Sequence, residues 1–171
     1  MDYKRKLSGQ LARHRKYGLK IVSLAPQGME IPSVMINNYE AGKSIAEYLV
    51  AKGHRKIGFV SGPEKVYTSI ERLKGFHDVL NTNGIECGEE YITHCDFSQI
   101  RGYEACNQLL SKVKDITAIC CGNDNIAIGA MSAIKENGYR ILEDISVISI
   151  GDSHGAKFAD PPLTTLVVHR Y

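Results

Sequence analysis

Lys56-Ile57-Gly58-Phe59-Val60-Ser61-Gly62-Pro63 reads as a short buried strand ending in a turn, and its flanks decide what kind of sheet it belongs to. Five apolar or small residues bounded by a Gly-Pro breaker suit a strand covered on both faces. On its N-terminal side, residues 41–52 put Ile45, Ala46, Leu49 and Val50 on one helical stripe that Gly53 closes. On its C-terminal side, residues 68–81 form a second amphipathic run, closed by Gly84. Helix, strand, helix is the repeating unit of a parallel sheet, because parallel neighbours need a crossover connection.

The same rhythm continues in both directions. Further strands are predicted at residues 19–24, 34–36, 91–95, 118–121, 146–150 and 164–168, and further helices at 7–17, 98–111 and 125–137, the last closed by Gly138. Together they predict an α/β fold built on a doubly wound parallel sheet. The first helix follows no strand and the last strand is followed by no helix, so the chain reads as a piece of a larger protein.

Composition narrows the class. The 171 residues are 43% hydrophobic, 23% charged and 8% aromatic, as expected for a globular protein. No run approaches the ~18 apolar residues of a membrane span, and Met1-Asp2-Tyr3-Lys4-Arg5-Lys6 leads into polar sequence, which predicts a soluble cytoplasmic product with no membrane partner. Five cysteines are too few for a disulfide scaffold; Cys120 and Cys121, inside an apolar run, read as small buried hydrophobes. The net charge of +2 hides a basic leader, since residues 1–20 carry seven Lys and Arg against Asp2 alone. Without interleaved aromatics or a DNA-reading motif, such a leader reads as a solvated helix face.

In open parallel sheets ligands bind beyond the carboxyl ends of the strands. There the sequence places Gly62-Pro63, Asp96-Phe97, Gly122-Asn123-Asp124 and Gly151-Asp152-Ser153, residues suited to a polar ligand with an apolar face. No metal-ligand spacing or phosphate loop accompanies them, and no cofactor is implied. Gly42-Lys43-Ser44 resembles the tail of a P-loop, but its first glycine would have to be residue 37, which is Asn37. Gly151-Asp152-Ser153-His154-Gly155 matches G-x-S-x-G, with Asp160 and His169 behind it in hydrolase order. A nucleophile elbow must feed a helix, and the run to Asp160-Pro161-Pro162 leaves no room for one, so Ser153 is expected to be an ordinary serine and the catalytic set to be empty.

Six phrases, in order, resemble the effector domain of the lactose/galactose repressor (LacI/GalR) family: Asn38-Tyr39-Glu40-Ala41-Gly42; Gly53-His54-Arg55-Lys56-Ile57-Gly58-Phe59-Val60-Ser61-Gly62-Pro63; Arg72-Leu73-Lys74-Gly75-Phe76; Gly102-Tyr103-Glu104-Ala105; Asn123-Asp124-Asn125-Ile126-Ala127-Ile128-Gly129-Ala130; and Asp144-Ile145-Ser146-Val147 with Asp160-Pro161-Pro162-Leu163-Thr164-Thr165. The resemblance runs from about residue 19 to about residue 168.

It implies a type I periplasmic-binding-protein-like fold, with residues 1–55 as part of the N-terminal subdomain, 56–160 as a nearly complete C-terminal subdomain and 161–171 as a crossover strand. It further implies a small-molecule effector such as a sugar or sugar derivative, a homodimer using Ile128, Met131, Ser132 and Phe158, and operator DNA bound through a helix-turn-helix domain outside this sequence. A transport-system sugar-binding protein of the same fold is the alternative, and the serine hydrolase a weaker one. Position by position, Arg72 matches the arginine that reaches the effector, Asn123 the asparagine after the third strand and Phe97 the aromatic that packs on a ring, with Asp152 the carboxylate at the same edge. Arg and Asn bring donors and an acceptor, and the aromatic covers the apolar face of a pyranose or purine. Two aspartates common in the family are replaced by Gly151 and Ala25; Tyr67, Asn37 and Ser153 are the candidates to compensate.

Overall fold

The computed structural model describes residues 14, 16–22 and 32–168 and divides the chain into two compact units, Met1–Ile36 and Asn37–Tyr171. In the first unit the expected helix 7–17 is described only at its end. The Leu19 N–H donates to the His14 carbonyl at 3.3 Å across Gly18 (φ +76°), the bond that closes a helix on a left-handed residue. Residues 19–22 and 34–36 form no strand. Val34, Met35 and Ile36 are exposed, and β propensity expresses fit to a half-buried pleated surface, which these residues do not have. Residues 23–24 and Ala25 lie outside the described residues.

The second unit holds α1 (Asn38–Ala51), β1 (Ile57–Ser61), α2 (Tyr67–Thr82), a 3-10 turn (Glu89–Tyr91), β2 (Ile92–His94), α3 (Gln99–Lys112), β3 (Ala118–Cys121), α4 (Asp124–Glu136), β4 (Ser146–Gly151), α5 (His154–Phe158) and β5 (Thr164–Val167). The strands form one sheet in the order β2-β1-β3-β4-β5, every pair parallel. Residues 38–51 thus belong to the same compact unit as the sheet.

Each face of the sheet carries its own core. Ile57, Phe59, Cys120, Ile148 and Ile150 meet α1 and α2, whereas Val60, Ile119, Cys121 and Val147 meet α3 and α4. Strand alternation sends Cys120 and Cys121 to opposite faces, both fully buried. The Phe59 and Phe76 rings meet edge to face at 4.9 Å; burial of a side chain of this size stabilises by about 1.5–3 kcal/mol. Helix pairs on both faces cross at glycines. A Cβ on Gly42 would run into the Arg72 backbone and one on Gly75 into Tyr39, while Gly102 and Gly129 play the same part between α3 and α4. Gly42-Lys43-Ser44 therefore lies within a helix whose glycine admits a neighbouring backbone, not in a phosphate loop.

Two expectations change here. Ser153 is followed by a helix, the five-residue α5, because Pro161 and Pro162 end the segment without preventing one and a half turns before them. Met131 is 4% exposed and part of the core under α4, so it cannot reach a partner subunit; Ile128, Ser132 and the 84%-exposed Phe158 remain at or near the surface.

Candidate functional site

All five strands point their carboxyl ends to one edge, and the residues that follow β1 to β4 collect there. Asn123 comes directly after Gly122 at the end of β3. It caps α4, its Oδ1 accepting from the Ile126 N–H at 2.8 Å, while its Nδ2 donates to the Phe97 carbonyl at 3.5 Å. One carboxamide thereby ties the loop after β2 to the loop after β3. The half-buried Phe97 ring lies over the Gly62 backbone, where a Cβ on Gly62 would fall 2.7 Å from Phe97 Cζ.

Arg72 arrives from α2. Its spacing from Ser69, Phe76 and Val79, all buried on the same helix, puts its side chain on the face toward the sheet, and it is only 8% exposed. The guanidinium donates from Nε to Asn38 Oδ1 at 3.0 Å and from a terminal nitrogen to the Gly122 carbonyl. Arg72 and Asn123 thus meet on consecutive residues at the end of β3, one through a carbonyl and the other through its own side chain.

Asp152 closes the far side. Its backbone takes φ +121°, a region L-residues rarely enter, and its exposed carboxylate lies 3.7 Å from Lys157 Nζ. Asp124 holds that strained loop. Only 3% exposed, it accepts four hydrogen bonds: Oδ1 from Ser149 Oγ at 2.6 Å and Thr165 Oγ1 at 2.7 Å, Oδ2 from the Asp152 and Ser153 N–H groups at 2.9 and 2.6 Å. Burial pushes its carboxyl upward, but the Ser149 hydroxyl, the two backbone N–H groups and the Thr165 hydroxyl outweigh it and hold the pKa down to about 2. The N-terminus of α4 adds to the same effect. A Cβ on Gly151 would fall on the Asp124 carboxylate, so the packing of this knot requires glycine there.

Asp124 and its donors were missed by sequence reasoning. Their separations in the chain run from 25 to 41 residues, and the one available signal was an acidic residue at the start of α4 beside the recognised Asn123. Of the proposed compensating residues, Asn37 caps α1 and Ser153 caps α5, each accepting a backbone N–H three residues on, and Tyr67 is exposed at the start of α2.

Ser153 Oγ is engaged by the Ala156 N–H at 3.3 Å and His169 lies outside the described residues. Burial pushes the Cys87 and Cys95 thiols up to about 11 and Cys106 to about 12, and raises Cys120 and Cys121 well beyond the ordinary range, so none of them is a ready thiolate. Among the described residues no cluster of three His, Cys, Asp or Glu could hold a metal ion, and no helix is long and apolar enough to cross a membrane. A surface groove of about 580 Å³ follows the outer edge of β2, lined by Glu64, Leu73, Glu89, Ile92, Thr93, His94, Gln108 and Lys112. It includes none of Arg72, Phe97, Asn123 and Asp152, and its mixed charges favour no single ligand chemistry.

Comparison with known proteins fits this geometry. Residues 46–169 match the family described as periplasmic binding protein-like domain. The HTH-type transcriptional repressor CytR of Escherichia coli (strain K12) is 37% identical over 147 residues, 86% of this chain and 43% of CytR. Among solved structures, a complex of the transcriptional regulator CelR with cellobiose superposes with a TM-score of 0.76 at 30% identity, covering 80% of this chain and 43% of CelR. A lac repressor dimer bound to operator and the anti-inducer ONPF gives 0.74 at 34% identity, covering 78% and 46%. The chain spans less than half the length of each of these proteins. With the ordered phrases, the parallel sheet and these likenesses in agreement, the chain belongs to the LacI/GalR family of transcriptional regulators, as part of its periplasmic-binding-protein-like effector domain.

Proposed function

We propose that residues 37–168 form the effector-sensing part of a cytoplasmic LacI/GalR-type repressor, with a sugar or sugar derivative binding at the carboxyl edge through Arg72, Phe97, Asn123 and Asp152. The observation that carries this reading is the chain of contacts Arg72, Gly122, Asn123 and the Phe97 carbonyl, which ties a guanidinium and a carboxamide to the loop whose aromatic ring lies over Gly62, from three segments distant in sequence. The CelR complex with cellobiose supports a saccharide as the ligand class. A planar fork of donors, an amide with both hydrogen-bonding senses and an apolar ring suit a pyranose, which offers hydroxyls around its rim and C–H groups on its faces.

Binding of the effector changes operator affinity through a helix-turn-helix domain of the full-length protein, and two copies pair through the outer side of α4 and the exposed Phe158. The reaction inventory is empty: the unit binds and signals without making or breaking covalent bonds. Calorimetric titration of the full-length protein with cellobiose and a panel of mono- and disaccharides tests the site. Arg72→Ala is expected to weaken binding of the sugar that the wild type takes by about 1–3 kcal/mol. Unchanged affinity in both Arg72→Ala and Phe97→Ala would remove the site and leave the fold standing.

A further inference from the structure

The chain contains two Asn-Gly pairs, Asn83-Gly84 and Asn137-Gly138, and they occupy the same place in the fold. Asn83 is the C-cap of α2 and Asn137 the C-cap of α4, on opposite faces of the sheet. Their backbones nearly coincide, with ψ of 6° and 5°, and each is followed by a left-handed glycine, φ +63° at Gly84 and +83° at Gly138. Each carboxamide donates from Nδ2 to the carbonyl four residues back, that of Val79 or Ala133, at 2.8 Å. Each glycine N–H is engaged in turn, by the Asn81 carbonyl at 3.1 Å and the Lys135 carbonyl at 3.0 Å.

An asparagine before a glycine is chemically labile, because no Cβ on the following residue shields the backbone nitrogen. That nitrogen attacks Cγ of the carboxamide: the N–Cγ bond forms, the Cγ–Nδ2 bond breaks, and ammonia leaves carrying the amide proton. Water then opens the five-membered imide at one of its two carbonyls, giving aspartate or isoaspartate. Ring closure needs the glycine nitrogen to eclipse Cβ about the Cα–C bond. With ψ near 0° it eclipses the asparagine's own nitrogen instead, so both folded caps hold the reaction off and it proceeds only when a cap opens.

The two caps differ in how they are fastened. The last turn of α4 and its cap are tied to α3 twice: Asn137 Nδ2 donates to Asn107 Oδ1 at 2.7 Å, and the Tyr103 hydroxyl donates to Glu136 Oε2. Both amide hydrogens of Asn137 are thereby engaged. The Asn83 carboxamide donates only within its own helix among the described residues, and Asn83 is exposed. We propose that Asn83-Gly84 is a site of spontaneous deamidation and isoaspartate formation in the native protein, and that the Asn107 and Tyr103 contacts protect Asn137-Gly138 from the same reaction. The product puts a negative charge at the C-terminus of α2, the end that a helix dipole disfavours for anions. A carboxylate has no hydrogen to donate to the Val79 carbonyl, so the modified cap is weaker than the original. Isoaspartate also lengthens the main chain two residues before Ile85, which is 5% exposed and packs in the core beneath α2.

The test incubates the wild-type full-length protein in mildly alkaline buffer at physiological temperature and follows both pairs by peptide mapping and by labelling with an isoaspartyl methyltransferase. A sample unfolded in urea gives the rates without caps, where the two pairs should react alike. In the folded protein Asn83 should react about tenfold faster than Asn137, a margin of the size that two cross-helix hydrogen bonds supply. Asn107→Ala should raise the Asn137 rate by about threefold or more and leave the Asn83 rate unchanged. Tyr103→Phe, which keeps the ring and loses the hydroxyl, should shift it in the same direction. Equal rates in the folded protein, or a faster reaction at Asn137, would overturn the proposal. So would an Asn83 that stays intact in the folded protein over the time in which the unfolded sample is fully converted. An Asn137 rate unmoved by both substitutions would overturn the protective part assigned to α3.

Discussion

The two ends of the sheet's carboxyl edge are built on opposite terms. Around β4 and β5 the buried carboxylate of Asp124 takes four donors, and every polar group in the knot has a partner. Around β1 and the start of α2, the Ser61 and Ser69 hydroxyls are buried with no partner among the described residues, and the half-buried Phe97 ring lies beside Ser69 over the Gly62 backbone. A satisfied buried network fixes one conformation, whereas buried hydroxyls without a protein partner leave their surroundings less determined. The β4–β5 end is accordingly the rigid end of this edge.

Asp124→Ala breaks the rigid end and should have the largest effect. It strands two backbone N–H groups and two hydroxyls, each costing about 1–3 kcal/mol when left unsatisfied, so a loss of about 3–5 kcal/mol in a denaturant titration is expected. Asp124→Asn should cost much less. Its oxygen can accept from Asp152 and Ser153 while its amide donates to the Ser149 and Thr165 hydroxyls, which turn round to receive it. If the alanine variant were as stable as the asparagine variant, the network would not be what holds the loop.

Acid reaches the same knot without a substitution. The Asp124 carboxyl is held at about 2 in the folded protein against an ordinary 3.8, so the unfolded chain binds the proton more readily. Its stabilising contribution is complete above about pH 3.8 and is lost as pH falls toward 2. Hydrogen exchange at the Asp152 and Ser153 amides should accelerate relative to the β3 amides across that window. In Asp124→Asn the extra acceleration should be absent.

Legibility in the sequence follows the same division. β1, β3 and β4 were visible because a doubly covered strand must be a short apolar run, and helix ends at Gly53, Gly84 and Gly138 were visible because each glycine adopts a positive φ. Residues 34–36 misled because three apolar residues carry the same local signal whether or not a sheet accepts them. α5 is hard to see in the sequence because two prolines that only terminate a helix carry the same local signal as prolines that forbid one. Phe97, Asn123 and Asp152 could be placed at one edge from topology, since parallel strands share a carboxyl edge. Asp124's partners and the unpartnered serines could not be placed, because hydrogen bonding across 25 or more residues leaves no periodic trace.

Asn123 belongs to both ends of the comparison, and its substitutions sharpen it. It caps α4 and also touches the Phe97 loop, so Asn123→Ala should lower stability by about 1 kcal/mol as well as weaken sugar binding. Asn123→Ser keeps a capping oxygen and loses the amide. Stability near wild type with weakened binding would separate the two duties; equal losses in both variants would show that the cap and the Phe97 contact are inseparable.

The smallest effect is expected at Ser153, at the rigid end. Its Oγ accepts the Ala156 N–H as the cap of a five-residue helix, and its own N–H is held by Asp124. α5 does supply a helix N-terminus after the serine, which restores one part of the hydrolase pattern, but a nucleophile also needs a base at hydrogen-bonding distance from its oxygen. The Asp124 carboxylate next to it already holds four donors and accepts on the backbone side. The adjacent His154 starts α5 and is exposed. Ser153 should therefore react with a fluorophosphonate no faster than a serine in an unfolded peptide, as followed by intact mass spectrometry. Ser153→Ala should cost only the cap of a short helix, about 0.5–1 kcal/mol. Stoichiometric labelling abolished by that substitution would mean that a base reaches Oγ from a segment the geometry of α5 does not account for, and the rigid end would have to be reread as an active site.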